Sequence, residues 1–162
     1  MVRPSLPLSI RAEPAAAEEE YAAFCRFLEL EPAELHRRQL GEEPLGEVDL
    51  DAWSGILLGG GAFTVTDPEA TKSPAQRRTE TDLAGLLDQV VAADFPFLGA
   101  CYGIGTLGGH QGGVLDRDHA EPVGALSVTV TEDGRSDPLF EGVPGDFAAY
   151  GEAQAQLKAA LD

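Results

Sequence analysis

The chain has 162 residues, of which 43% are hydrophobic and 24% are charged, so it is long enough for one globular domain with a buried core. Its 28 acidic and 11 basic residues give a net charge of −17, which repels phosphates and argues against nucleic acid as a partner. No apolar run approaches the roughly 18 residues that a membrane span needs. The N-terminus also lacks a signal-peptide pattern, so we expect a cytoplasmic protein with no membrane partner.

The first third of the chain predicts strands that alternate with a helix. A short strand is predicted over residues 4–10, where apolar residues recur. A helix is predicted over 13–30, because alanines and apolar residues fall there at helical spacing. We expect its acidic cluster, Glu18 to Glu20, to be a solvated face, and Cys25 to be a buried, unreactive thiol. A weaker second strand is predicted over 35–40.

The middle of the chain contains two apolar strands that end in unusual residues. Residues 53–58 predict a buried strand that runs into three glycines, 59–61, and residues 95–100 predict a strand that stops at Cys101. A long amphipathic helix is predicted between them, over 76–93. The rest is predicted as a helix over 102–109, a strand over 123–130, a turn at Asp133–Gly134, a helical turn over 137–140 and a last helix over 151–162.

This order of elements predicts the architecture. Strands that alternate with helices and are apolar throughout favour an α/β fold of three layers, with a mostly parallel sheet and helices on both faces. We expect one domain over residues 1–162. Ligand sites in such sheets lie beyond the carboxyl ends of the strands. Both the glycines 59–61 and Cys101 fall at such ends, which predicts a functional site there.

Cys101 lies in the sequence Gly99-Ala100-Cys101-Tyr102-Gly103. A nucleophile in a sharp turn from strand to helix needs neighbours without bulky side chains, and this spacing supplies them. The start of the following helix favours a thiolate and aims backbone N–H groups at a developing oxyanion. The pattern therefore favours a nucleophilic cysteine, with a structural cysteine in a tight turn as the alternative.

The glycines at 59–61 allow a ligand to approach the backbone closely, as a second oxyanion donor requires. A phosphate-binding loop is the rival interpretation, but neither Gly-Lys-Ser/Thr nor a G-x-G-x-x-G pattern follows. A turn without any ligand also remains open.

Taken together, these segments resemble the class I (triad-type) glutamine amidotransferases, including the glutaminase domain of GMP synthetase. The resemblance is carried by Gly-Ile-Leu-Leu-Gly-Gly-Gly-Ala at 55–62, by Phe-Leu-Gly-Ala-Cys-Tyr-Gly-Ile-Gly at 97–105, by Gly112-Gly113, and by Asp-Pro-Leu-Phe-Glu-Gly-Val-Pro at 137–144. It implies a flavodoxin-like sheet and a glutaminase activity that needs neither cofactor nor metal.

The resemblance also implies roles for individual residues. Cys101 would attack the side-chain amide of glutamine, and the backbone N–H groups of Tyr102, Gly60 and Gly61 would bind the oxyanion. Gly103 and Gly105 would contact the substrate, although many relatives carry glutamine where this chain has Gly105. The ammonia would pass to a synthetase or acceptor subunit.

One part of the family pattern is not found. The family's catalytic His and Glu, one residue apart, lie far beyond the nucleophile, whereas the last histidine here is His119. His119 and Glu121 have the required spacing but precede a predicted strand at the place of a peripheral loop, so they are a weak substitute. We therefore expect a C-terminally incomplete domain with impaired hydrolysis, a non-catalytic binding or regulatory module, or a related cysteine hydrolase such as a γ-glutamyl peptidase.

Overall fold

The computed structural model describes residues 3–61, 63–116, 121–153 and 156–157. Its strands and helices follow the predicted alternation in the first two thirds of the chain. The strands are β1 Leu6–Ile10, β2 Arg38–Gln39, β3 Ile56–Gly61, β4 Phe97–Gly99, β5 Leu115–Asp116, β6 Glu121–Thr129, β7 Asp146–Ala153 and β8 Gln156–Leu157. The helices are α1 Pro14–Phe27, α2 Pro74–Ala92, α3 Tyr102–His110 and α4 Glu132–Ser136.

The first four strands form one parallel sheet in the order β2-β1-β3-β4. The chain steps from β1 outward to β2 in one direction and from β3 outward to β4 in the other. Because such crossovers are right-handed, α1 and α2 cover opposite faces of the sheet. The predicted α/β class with a mostly parallel sheet is confirmed, and the direction of winding reverses between β1 and β3.

Helix boundaries have local causes. A proline stands at the first turn of both α1 and α2, where its missing N–H costs nothing, and the Ser73 hydroxyl caps α2 by accepting from the Gln76 N–H. Each helix is followed by a residue with positive φ, Glu29 at 55° and Asp94 at 48°, which stops further helical turns. Both predicted helices are confirmed.

The hydrophobic core lies between the sheet and its helices. All five residues of β1 and the first five of β3 are buried, and the apolar stripe of α2 packs against them. The core side chains are Leu6, Leu8, Ile10, Leu40, Leu45, Val48, Ile56, Leu58, Leu83, Leu86, Val90 and Tyr102. No helix within the described ranges is long and apolar enough to cross a membrane.

Three predictions need correction. The last helix, predicted over 151–162, is wrong where the structure describes it, because β7 continues to Ala153 and β8 covers Gln156–Leu157. β7 pairs with β6 as an antiparallel ribbon, and these backbone hydrogen bonds outweigh the helical preference of alanine. The expected turn at Asp133–Gly134 lies inside α4, which the Thr131 hydroxyl caps.

The third correction concerns the glycines after the second apolar strand. They are not a loop, because β3 extends through Gly61, which pairs with Ile10 of β1. Of the weak strand predicted over 35–40, only Arg38–Gln39 and a bridge from Leu35 to Ser5 are formed. The glycines therefore belong to the sheet at its carboxyl edge.

Candidate functional site

Cys101 occupies a sharp turn between β4 and α3. Its φ of 55° and ψ of −103° fall outside the regions that side-chain-bearing residues ordinarily occupy. The turn is held by the Ala100 N–H, which donates to the Leu58 carbonyl at 2.9 Å, and by the Gly103 N–H, which donates to the Ala100 carbonyl at 3.0 Å. Cys101 is an exposed residue.

Glycines make this turn possible. A Cβ at Gly103 would lie 2.9 Å from the Leu58 carbonyl oxygen, and one at Gly99 would lie 2.7 Å from the backbone of Gly103. Real Cβ atoms do not approach backbone so closely, so α3 can only lie this near β3 if both positions are glycine. The close approach fixes the Tyr102 N–H, which is the first of α3, beside Cys101.

The backbone N–H and the side chain of Tyr102 lie in different environments. Its N–H, at the start of α3, has no acceptor among the described residues and is free to bind an anion. Its side chain is buried, with the ring at 6.4 Å from that of Phe63 in an edge-to-face contact. Burial and the charge of Glu80 raise the pKa of the Tyr102 hydroxyl above its ordinary value, which keeps the phenol neutral.

A half-buried carboxylate lies on the other side of β3. Glu20 of α1 is only 12% exposed, and its Oε1 accepts from the Gly60 N–H at 2.9 Å and from Arg11 Nε at 3.0 Å. Its Oε2 accepts from the Ser9 hydroxyl at 3.3 Å. The expectation that Glu18 to Glu20 form one solvated face is wrong for Glu20, because these three donors hold it at the end of the sheet.

Gly60 brings these groups together. A Cβ at this position would meet Cys101 Sγ at 3.1 Å and Arg11 Nη2 at 3.1 Å. Gly60 therefore lies next to Cys101, as expected, but its N–H already binds Glu20. The role of Gly60 and of the strand-paired Gly61 in an oxyanion hole stays a prediction.

The other predicted site residues have varied positions. A Cβ at Gly105 would lie 3.2 Å from the Val65 side chain, so close packing already favours glycine there, and the substrate contacts of Gly103 and Gly105 stay predictions. His119 lies outside the described residues, as does the side chain of Glu121. Cys25 is half-buried rather than buried.

Two histidines are described, and both are engaged away from Cys101. His110 ends α3, about 12 Å along the helix axis from its start. Its Nε2 lies 2.9 Å from Asp88 Oδ1, and its Nδ1 lies 2.8 Å from Gln111 Nε2. His36 follows the bridge to Ser5 at the amino end of β1 and contacts the Trp53 ring. Within the described ranges, no group of three or more potential ligands is arranged to hold a metal ion.

Comparison with known proteins gives relatives in sequence over part of the chain. No family model matches the chain. The chain is 31% identical over 100 residues to the glutamine-hydrolysing GMP synthase of Edwardsiella ictaluri, and 29% identical over 97 residues to that of Thermosipho africanus. These alignments cover 62% and 60% of this chain, but only 16% of each synthase.

Solved structures show the same fold. A glutamine amidotransferase from Thermotoga maritima superposes with a TM-score of 0.70 at 18% identity, and one from Methylobacillus flagellatus with 0.69 at 17%. Each superposition covers 96% of this chain, and 62% and 57% of those chains. Over about 100 residues the chain is thus similar in sequence to glutamine-hydrolysing GMP synthases, and its fold is that of glutamine amidotransferases of known structure.

These similarities leave the roles of the individual site residues as predictions. The Cys101 elbow is the segment that the family resemblance indicated from sequence. The Arg11–Glu20 pair was missed, although a charged residue directly after the predicted first strand was a usable signal, since ligands bind at the carboxyl ends of such strands.

The strained turn gives a testable prediction. Replacing Cys101 by glycine should give a protein about 1 kcal/mol more stable than Cys101→Ala, because only glycine adopts this φ and ψ without strain. Urea denaturation of both variants measures the difference. The same pair of substitutions at Cys25 is the control, because inside α1 glycine should be the less stable by about 1 kcal/mol. Equal stability of Cys101→Gly and Cys101→Ala would show that the backbone at position 101 is not strained.

The carboxylate at the sheet end gives a second prediction. Glu20→Ala should destabilise the protein by about 2 kcal/mol. The substitution removes the acceptor of the buried Ser9 hydroxyl, the Gly60 N–H and the Arg11 guanidinium. Its neighbour Glu19 is exposed, and Glu19→Ala should change stability by less than about 0.5 kcal/mol. The two variants are compared by urea denaturation, and similar midpoints would show that Glu20 contributes no more than a surface residue.

Proposed function

We propose that Cys101 is the nucleophile of a glutaminase reaction on the side-chain amide of glutamine. One observation carries the proposal: an exposed cysteine occupies a strained strand-to-helix turn beside an N–H group that has no acceptor within the described part of the chain. Strain of about 1–3 kcal/mol is retained where the surroundings fix it, and such positions are typical of active sites. The similarity to glutamine-hydrolysing GMP synthases supports glutamine as the substrate.

The reaction balances as two acyl transfers. The Cys101 sulfur attacks the δ-carbon of glutamine, and the resulting oxyanion binds the Tyr102 N–H. The carbon–nitrogen bond then breaks, and ammonia leaves with the proton that the thiol gave up. Water hydrolyses the γ-glutamyl thioester to glutamate and restores the thiol.

Ammonia departure needs a proton donor, and neither described histidine is free for this role. Both described histidines are occupied elsewhere, and serine hydrolases deprived of their triad keep only about 10³–10⁴-fold acceleration over water. We therefore propose that this 162-residue chain hydrolyses glutamine slowly. Rapid turnover by the purified chain, lost in Cys101→Ala, would refute this.

The GMP synthases that the chain resembles are glutamine-hydrolysing enzymes, and the chain spans about one sixth of their length. A synthetase or acceptor subunit that receives the ammonia is accordingly part of the proposal. Two unpaired cysteines fit a cytoplasmic setting.

A second candidate is a binding or regulatory module on the same scaffold. The contact between Glu20 and the Gly60 N–H favours it, because this contact occupies a donor that a working oxyanion hole would use. The two candidates differ in whether Cys101 accepts an acyl or alkyl group from a glutamine-like ligand.

Covalent labelling separates the candidates. A chloroketone analogue of glutamine should alkylate Cys101 at least about 100-fold faster than Cys25, because the effective concentration of a bound and aligned electrophile is high. Peptide mapping by mass spectrometry locates the label, and excess glutamine should protect Cys101.

The matched control repeats the protection with a γ-glutamyl dipeptide, which should protect Cys101 better than glutamine if the chain is a γ-glutamyl peptidase. Equal labelling of both cysteines, with no protection by glutamine, would refute the glutaminase proposal and leave the binding module.

A further inference from the structure

Arg11 lies beside the candidate nucleophile. It is the first residue after β1, at the point where the direction of winding reverses, and ligands of doubly wound sheets bind at that point. Its Nη2 and Cys101 Sγ both lie 3.1 Å from the position that a Cβ of residue 60 would take. The two atoms are therefore separated by at most twice that distance, with only the missing side chain of Gly60 between them.

Glu20 anchors Arg11 without using its outer nitrogens. Arg11 Nε donates to Glu20, while within the described ranges neither Nη1 nor Nη2 has a hydrogen-bond acceptor. A guanidinium presents five donors in a rigid fork, so one edge is fixed and the other remains available to a ligand. The Arg11 side chain is 36% exposed, which leaves that edge accessible.

The strand separates the carboxylate from the sulfur. The Glu20 carboxylate lies where a Cβ of Gly59 would point, at 2.4 Å from that position, whereas Cys101 and Arg11 Nη2 lie where a Cβ of Gly60 would point. Successive side chains of a strand point to opposite faces of the sheet. The free edge of Arg11 is thus on the same face as Cys101, and the negative charge that balances it is on the other.

The position of Arg11 matches the need of the proposed reaction for a second oxyanion donor. An oxyanion hole usually combines two donors, and here the Gly60 N–H is bound to Glu20, so the Tyr102 N–H needs another partner. We propose that Arg11 is a further catalytic residue, whose Nη donors bind the anion that forms at Cys101. Arg11 gives up no proton and forms no covalent bond; it supplies charge and hydrogen bonds. This proposal depends on Cys101 being the nucleophile.

A test by small alkylating reagents needs no recognition of glutamine. In a Cys25→Ala background, the rate at which Cys101 reacts is measured with neutral iodoacetamide and with anionic iodoacetate. Arg11→Gln should lower the iodoacetate rate at least about 5-fold more than the iodoacetamide rate, because the cation that attracts the anionic reagent is gone.

Two variants complete the series. Arg11→Lys keeps a cation and should restore most of the iodoacetate rate. Arg26→Gln removes the same charge from the far end of α1, where the guanidinium lies 5.3 Å from the Phe27 ring, and should leave the ratio of the two rates unchanged. Arg11→Gln changing both rates by one factor would overturn the proposal and leave Arg11 as a structural partner of Glu20.

A measurement that keeps Arg11, in the same Cys25→Ala background, covers the case in which Arg11→Gln fails to fold. Alkylation of Cys101 by iodoacetate leaves a carboxylate on the sulfur, and iodoacetamide leaves a neutral amide of the same size. If Arg11 binds an anion there, the carboxymethylated protein should melt about 2–4 °C higher than the carbamidomethylated one. Equal or lower melting of the carboxymethylated form would overturn the proposal.

Failure of this proposal and failure of the glutaminase proposal give different results. If the glutamine chloroketone labels Cys101 but the iodoacetate ratio does not depend on Arg11, the nucleophile stands and only Arg11 is excluded. If the chloroketone fails while the ratio depends on Arg11, the site binds anions but does not recognise glutamine.

Discussion

The close approach of α3 to β3 is the constraint on which the turn at Cys101 depends. The Ala100 N–H binds the Leu58 carbonyl, and the backbone of Gly103 lies against the same carbonyl. Any side chain at position 99 or 103 would push the helix away and move the Tyr102 N–H relative to the Cys101 sulfur. The same turn holds Cys101 at a positive φ, which strains a residue that carries a side chain.

Polar and charged groups from distant parts of the chain meet at the carboxyl edge of the sheet. Glu20 extends to this edge from α1, Arg11 from the end of β1 and Gly60 from β3. The Arg11 guanidinium and the Gly60 N–H both donate to the Glu20 carboxylate. The glycines of β3 leave space on both faces of the sheet. Gly59 leaves room for the carboxylate, and Gly60 leaves room between the guanidinium and the sulfur. A single side chain at either position would separate elements that now meet at one point.

Local patterns predicted the elements that depend on local physics. The apolar periodicity of residues 76–93 and the glycine spacing around Cys101 each describe what happens within one helix or one turn, and both predictions were close. Glu20 could not be placed in this way, because three consecutive acids on a helix are typical of a solvated face, and only the tertiary fold brings Ser9 and Gly60 to one of them. The strand β7 was missed for the same reason, since its pairing with β6 is not visible in an alanine-rich segment.

The central claim is that Cys101 and its oxyanion donors are assembled, while the group that protonates a poor leaving group is not found among the described histidines. An activated γ-glutamyl ester, such as the p-nitrophenyl ester, tests this claim most directly, because its leaving group departs without a proton. The claim predicts a rapid burst of p-nitrophenolate equal to one per protein, absent in Cys101→Ala, from a chain that turns over glutamine at no more than about 0.1 s⁻¹. An activated ester that gives no burst at all would contradict it.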